Sequence, residues 1–390
     1  MPEPIRIGIV GAGFAARFHA HNLRRVHTFP VTISGVTSRS AESRESFAHE
    51  ASMAVFESFD ALCDACDVID LCSPPSTHEQ LAVEALRRGK HIIVEKPFTG
   101  YFGDGSETFH GNTAPRGPML EHAIASCQRI IEAASAAGKT VCYAENWVYA
   151  PAIQKEAEIV TKSGTQILWM LGNQSHSGSH SRYYGIWRHS GGGSLVGKGC
   201  HPLSAALFLK RAEGNARDGN PIRPAAVSAR THEITKLRGY RDEGFLRTAY
   251  QDIEDYGQMH VVFSDGTVAD IFASELVLGG VSNWLEVMGN SHRTRCQLNP
   301  VDALTTFNPT PNGFRDVYLT EKIETKLGWS HPAPDEAWQH GYPQEFQDFI
   351  ESLAAGREPQ ANAELARDTI AAIYAAYLSA ERSGAEVPIP

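Results

Sequence analysis

No stretch of this 390-residue chain approaches the roughly 18 uninterrupted apolar residues that a membrane-spanning helix needs, so no transmembrane segment is expected. The opening MPEPIRIGIV lacks a basic region followed by a long apolar run, and no signal peptide is expected there. Cysteine is scarce, odd in number and scattered: seven residues, the pattern of free thiols in a reducing cytoplasm. Cys63-x-x-Cys66 has no second cysteine pair or nearby histidine, which argues for structural thiols and against a metal. Basic excess is also missing. Lys and Arg number 35 against 45 Asp and Glu, a net charge of −10, which disfavours nucleic acid and anionic membrane as partners. One shortage runs the other way. From Ile159 to Ala212 there is no Asp or Glu, where the chain average would place about six.

What is present alternates. Short apolar runs at 5–10, 31–37, 54–58, 67–73, 91–96 and 140–146 read as strands. Helical patterns fill 14–25, 40–50, 59–66, 77–89 and 119–137. Strand and helix in alternation predict an α/β fold whose N-terminal domain, 1–146, is a doubly wound parallel sheet of Rossmann type. FTGYFGDGSETFHGNTAPRGPM, 98–119, breaks the rhythm and reads as an inserted loop. The remainder, 147–390, is β-rich and closes with two helices, predicting an α+β domain with a mostly antiparallel, open-faced sheet. Its Ser264-Asp265-Gly266 turn is a hairpin signal.

Gly11-x-Gly13-x-x-Ala16 follows the first strand and opens a helix. The first glycine permits a tight turn, the second lets the main chain approach a diphosphate, and the small third residue lets helix and strand pack closely. The diphosphate would then meet the helix N-terminus, where unpaired N–H groups favour negative charge. An acid ending the second strand would bind the ribose of NAD; here Ser38 and Arg39 stand instead, a pair suited to the 2′-phosphate of NADP, so both nucleotides stay open. Glu95-Lys96-Pro97 ends the fifth strand, at the sheet edge where ligands bind, and Lys96 there could take a proton from a substrate hydroxyl.

Three features together resemble the glucose–fructose oxidoreductase / inositol dehydrogenase / rhizopine catabolism (Gfo/Idh/MocA) family: the glycine turn, CSPPSTHEQLAVEAL (72–86), and the Glu-Lys-Pro tripeptide. GGGSLVGKGCHPLSAALFL (191–209) extends the resemblance into the second domain. It implies an NAD(P)-dependent enzyme acting on sugars, inositols or related polyols. The implied cofactor contacts are Gly11, Gly13, Phe14, Ala15, Ser38, Arg39, Ser73, Pro74, His78, Glu95, Lys96 and Asn146. Proton transfer falls to Lys96 and His201, with Tyr149 as a further base. Where the family commonly has Asp four residues before that histidine, this chain has Gly197, and Lys198 follows; Lys198 then binds substrate or tunes His201. Relatives associate through the open sheet face, so a homodimer or homotetramer is expected.

The acid-free segment concentrates Arg182, Arg188 and Lys198 with His176, His180, His189 and His201, among aromatic residues including Trp187. Arginine forks suit carboxylate, sulfonate or phosphate, and aromatic rings stack on sugar faces, so the expected substrate is an anionic sugar or glycoside. Trp147, Tyr149, His176, His180, Arg182, Trp187, Arg188, Lys198 and His201 are its candidate contacts, with Lys96. His176-x-x-x-His180 sits in Ser/Gly coil without a nearby carboxylate, and no metal is expected. Three functions remain open. One is a sugar dehydrogenase. A second is an NAD-dependent glycosidase working through transient C3 oxidation, elimination and water addition, for example on a sulfoquinovoside. The third is a cofactor-binding regulator without catalysis.

Overall fold

Strand β1 (Ile5–Val10) is followed by α1 (Phe14–Leu23), β2 (Val31–Thr37), α2 (Ala41–Glu50), β3 (Ala54–Val55), α3 (Phe59–Ala65) and β4 (Val68–Leu71). Helix α4 (His78–Arg87), β5 (His91–Glu95), α5 (Arg116–Ala137) and β6 (Val141–Ala144) complete the first half. The six strands form one parallel sheet in the order β3-β2-β1-β4-β5-β6, the doubly wound arrangement that the strand–helix alternation predicts. Its central strands bury both faces: Ile7, Ile9, Ile69, Leu71, Ile92 and Val94 are inaccessible to solvent. The order reverses at β1, which places the carboxyl ends of β1 and β4 side by side at the switch point. This computed structural model describes residues 2–179, 181, 183–299 and 303–390.

The second half adds α6 (Pro151–Ser163), β7 (Ile167–Ser175), α7 (Trp187–Ser190), α8 (Cys200–Asp218), β8 (Pro224–His232), β9 (Tyr256–Phe263), β10 (Val268–Ser274), β11 (Ser282–Gly289) and β12 (Arg293–Gln297). A small pair, β13 (Thr306–Asn308) and β14 (Gly328–Ser330), precedes α9 (Glu336–Gln339), α10 (Tyr342–Ala355), α11 (Ala363–Glu381) and β15 (Val387–Pro388). Seven strands pair in the order β12-β11-β7-β10-β9-β8-β15. Only β7 and β10 run parallel, so the sheet is mixed but mostly antiparallel. Strand β9 alternates half-exposed and buried residues, with Met259, Val261 and Phe263 turned inward. On the other face Leu168 and Trp169 of β7 are exposed. Helix α6 falls outside the alternation pattern, yet Pro151 opens it and left-handed Gly164 closes it, both ordinary helix boundaries.

Two compact units result. The first comprises Met1–Tyr101, Glu121–Asn146 and Tyr342–Ile370; the second comprises Phe102–Leu120, Trp147–Gly341 and Ala371–Pro390. The C-terminal segment joins the first unit through specific contacts. Tyr143 N–H donates to Ala361 O, and Tyr342 and Phe346 of α10 pack edge-on against Phe18 and His19 of α1. The segment Phe102–Leu120 is anchored within the second unit, where Asp252 accepts from the N–H groups of both Gly111 and Trp187, each at 2.7 Å. No helix among the described residues is long and apolar enough to cross a membrane.

Candidate functional site

In the first unit, Gly11 N–H donates to Thr37 O, and the Gly11 backbone is left-handed, with φ +114°. A Cβ there would lie 2.6 Å from Cys72 O, so only glycine fits between β1 and β4. Gly13 differs. It caps α1 with φ −87°, and nothing lies within 4 Å of where its Cβ would be. The protein itself does not require a glycine at that point; the open space it faces does. The first turn of α1 carries no acidic residue and Gly13 offers no side-chain cap, so N–H groups around Phe14 and Ala15 are left for an anion. Phe14 is 77% exposed beside that opening. These residues fit a dinucleotide diphosphate. Ser38 follows β2, with its hydroxyl donating to Ser40 O, and Arg39 is exposed.

Ser73 and Pro74 follow β4, where the Ser73 and Thr77 hydroxyls hydrogen-bond at 2.7 Å. His78 does not reach outward as a cofactor ligand would. Its ring is buried, with Nδ1 at 3.1 Å from Pro97 O and Nε2 at 3.0 Å from Ser73 O. Burial pushes its pKa down, against the pull of those carbonyls. His78 therefore ties the loop after β4 to the loop after β5, which holds Lys96, and acts as a brace. Glu95 is held from behind. His19 Nδ1 lies 3.0 Å from both Asp70 carboxylate oxygens, and its Nε2 is 3.7 Å from Glu95. Burial opposes a charge on His19, but Asp70 and Cys72 outweigh it and hold the imidazole well above its ordinary range. Lys96 is half-buried at the carboxyl end of β5, joined to Pro97 by a cis bond, and Asn146 is buried just past β6.

In the second unit, Trp147 and His201 are buried and stack, with ring centroids 6.0 Å apart; Tyr149 is buried nearby in sequence. His201 stands in the first turn of α8, directly after a π-helical turn over Leu195–Gly199. Glu254 holds the start of that turn. Its carboxylate accepts from Gly193 N–H at 3.0 Å, Leu195 N–H at 2.9 Å and Tyr377 OH at 2.8 Å. Burial raises this carboxyl to about 7 in spite of those donors. Because the folded pKa lies above the unfolded one, its contribution to stability is full below about pH 4.5 and is lost as pH rises through 7. Glu254→Gln is expected to remove that decline, about 1.4 kcal/mol per pH unit between the two values. Urea midpoints of both proteins at pH 5, 6 and 7 check this; parallel curves would refute it.

The expected roles of Lys198 and Gly197 change with the structure. Lys198 is buried and ion-paired with Glu275, which also accepts from Tyr184 OH at 2.6 Å and Tyr250 OH at 3.1 Å. Its charge is thus spent inside the fold. A side chain at position 197 would meet Tyr184 OH at 2.5 Å; the glycine makes room for that phenol, hydrogen-bonded to Glu275. A carboxylate is therefore near this turn after all, delivered from just past β10.

Residues 5–110 match the model of the GFO_IDH_MocA oxidoreductase family, NAD-binding Rossmann fold. This segment is thus similar to the nucleotide-binding domain of the Gfo/Idh/MocA family. It is 35% identical over 95 residues to UDP-N-acetylglucosamine 3-dehydrogenase of Acidithiobacillus ferrooxidans, covering 24% of this chain and 29% of that one. It is 36% identical over 92 residues to glucose-6-phosphate 3-dehydrogenase of Bacillus subtilis, covering 24% and 26%. The chain thus matches less than a third of the length of these curated relatives. Over its whole length it shares the fold of GenD2 from gentamicin A biosynthesis, solved in complex with NAD, with TM-score 0.79, 22% identity, and 100% and 97% of the two chains covered.

Beyond the nucleotide-binding segment, the acid-free stretch has a structural explanation. Its lysines pair with acids from outside it or at its flanks: Lys162 with Glu158, Lys198 with Glu275, Lys210 with Glu213 and Asp265. Arg188 reaches Glu107 O at 3.5 Å. Trp187 is buried, with the Arg116 guanidinium 4.4 Å over its ring and Tyr377 on it, so it anchors the inserted segment and does not line a substrate surface. His176 Nδ1 accepts from Gly178 N–H at 3.0 Å, closing its own turn. His180 and Arg182 lie outside the described residues. Sequence reasoning missed Asp252, Glu254 and Glu275, single acids in the loops flanking β9 and β10 with no motif around them. It also missed Lys322.

Proposed function

We propose that this chain is an NAD(P)-dependent oxidoreductase that acts by hydride transfer on a sugar, polyol or glycoside. The observation that carries this reading is the left-handed Gly11 turn and the open face at Gly13, on the same parallel sheet edge as Lys96. When bound, the nicotinamide ring would supply or accept the hydride. The chain's residues do the rest. Main-chain N–H groups at Gly13, Phe14 and Ala15 hold the diphosphate. Ser38 and the exposed Arg39 suit either nucleotide, the arginine favouring a 2′-phosphate. Lys96, braced through His78 and Glu95, takes or returns the proton of the reacting hydroxyl. By the family resemblance His201 is a further proton carrier, and Tyr149, just past the sixth strand, is a second candidate base. We assign 1–146 to cofactor binding and 147–390 to substrate and self-association, apart from the segments 102–120 and 342–370 that pack in the other unit, with the exposed Leu168 and Trp169 supporting a homodimer or homotetramer. The seven cysteines are buried and none is in a disulfide, which suits the cytoplasm.

Incubation with NAD+ or NADP+ and a panel of neutral and anionic sugars, inositols and aryl glycosides tests this. Net NAD(P)H formation is the expected result. Aglycone release that needs NAD+ without NADH accumulation would identify the glycosidase instead. Binding of neither nucleotide by calorimetry would sink the reading. An anionic substrate no longer draws support from Lys198, which is neutralised internally; that refinement rests on Lys322.

A further inference from the structure

Lys322 lies between β13 and β14 and has a left-handed backbone, φ +60°, a conformation that a non-glycine residue seldom adopts. Its side chain is only 4% exposed. An ammonium carries three donors. Here Nζ donates to Gly178 O at 3.0 Å, while the nearest carboxylate oxygen, on half-exposed Glu321, stands at 3.8 Å, beyond hydrogen-bond distance. Among the described residues no other acceptor is recorded for it. A buried ammonium with donors to spare is costly unless an acceptor arrives.

The surroundings deepen the deficit. Gly178 is gripped from its other side: a Cβ there would lie 2.5 Å from Arg247 Cβ and 2.8 Å from Tyr250 OH. Tyr250 in turn donates to Glu275, whose charge is already matched by Lys198 and whose oxygens are occupied by Lys198, Tyr184 and Tyr250. Glu275 is thus not available to Lys322 as a partner. Burial lowers the Lys322 pKa to about 8; Glu321 and Glu275 pull it up, and Lys198 and Arg247 push it further down. Glu275 is saturated and Glu321 lies at the periphery, while Arg247 is exposed nearby.

We propose that Lys322 is the floor, and Arg247 the rim, of an anion subsite that receives a phosphate, sulfonate or carboxylate group carried by the substrate. The inference rests on the oxidoreductase reading for the word substrate, but not for the site itself. An oxyanion would take the spare ammonium donors in charge-assisted hydrogen bonds. The subsite selects the charged member of any neutral–anionic pair of sugars or polyols.

The first test needs no turnover. Calorimetric titration of the NAD+-loaded protein with inorganic phosphate and with sulfate, at ionic strength fixed with KCl, should show binding that weakens about 30-fold in Lys322→Met and survives in Lys322→Arg. Should Lys322→Met fail to fold, the surface variant Arg247→Met gives the same reading with a loss of about fivefold. Equal affinity in wild type and in these variants overturns the subsite. The second test compares turnover of glucose with glucose 6-phosphate and glucuronate. The expected result is a lower KM for an anionic member, lost in Lys322→Met with kcat nearly unchanged. Turnover with equal KM for neutral and anionic members overturns the subsite and leaves hydride transfer standing. Phosphate binding that depends on Lys322, with no NAD(P)H formed from any sugar, supports the subsite and overturns the oxidoreductase reading.

Discussion

Lys96→Met should lower kcat by about 10³-fold while leaving the nucleotide affinity within about threefold of wild type, because removing a positioned proton acceptor costs that much in hydride transfer from an alcohol. Methionine keeps the length and the apolar stem of the half-buried lysine, so the loop after β5 keeps its brace of His78 against Pro97 and Phe98. Lys96→Arg is expected to fail nearly as badly, since a guanidinium does not release its proton near neutrality. The split between rate and binding distinguishes this role from a structural one. A kcat within tenfold of wild type, measured with a substrate found in the sugar panel, would remove Lys96 from the chemistry and leave His201 or Tyr149 as the proton carrier.

Gly111→Ala should strongly destabilise the second unit. The Gly111 backbone is not left-handed, so the effect is steric. An added Cβ would overlap Cβ and Cγ of Trp187, which is buried, covered by Arg116 and packed on Tyr377. Displacing the Gly111 backbone instead would withdraw an N–H donor from buried Asp252. Overpacking and a lost charge-assisted hydrogen bond together amount to about 4 kcal/mol. Urea unfolding measures this, and limited proteolysis should show cleavage within 102–115 appearing only in the variant. Gly117→Ala is the control: nothing lies within 4 Å of its added Cβ, and stability should hold. Equal behaviour of the two variants would show that the inserted segment is not anchored at Gly111.

The parallel sheet was legible in the sequence because each of its strands is a short apolar run bounded by turn residues, and such periodicity is a local property. The glycine turn was legible for the same reason: Gly11 must be left-handed between β1 and β4 whatever lies beyond. Charge was not. The absence of acids between Ile159 and Ala212 suggested a basic surface, but a charge acts across space, and Glu275 and Asp265 arrive from the two ends of β10 to neutralise Lys198 and Lys210. Trp187, an aromatic in a polar segment, looked like a sugar platform until the fold laid Gly111 and Arg116 against it. Lys322 carried no signal at all, since its burial and the lack of a hydrogen-bonded carboxylate exist only once Gly178 and Arg247 are brought beside it. Local pattern determines which elements form and where a backbone must bend; which charges cancel and which remain for a ligand is decided only when residues remote in the chain share one low-dielectric corner.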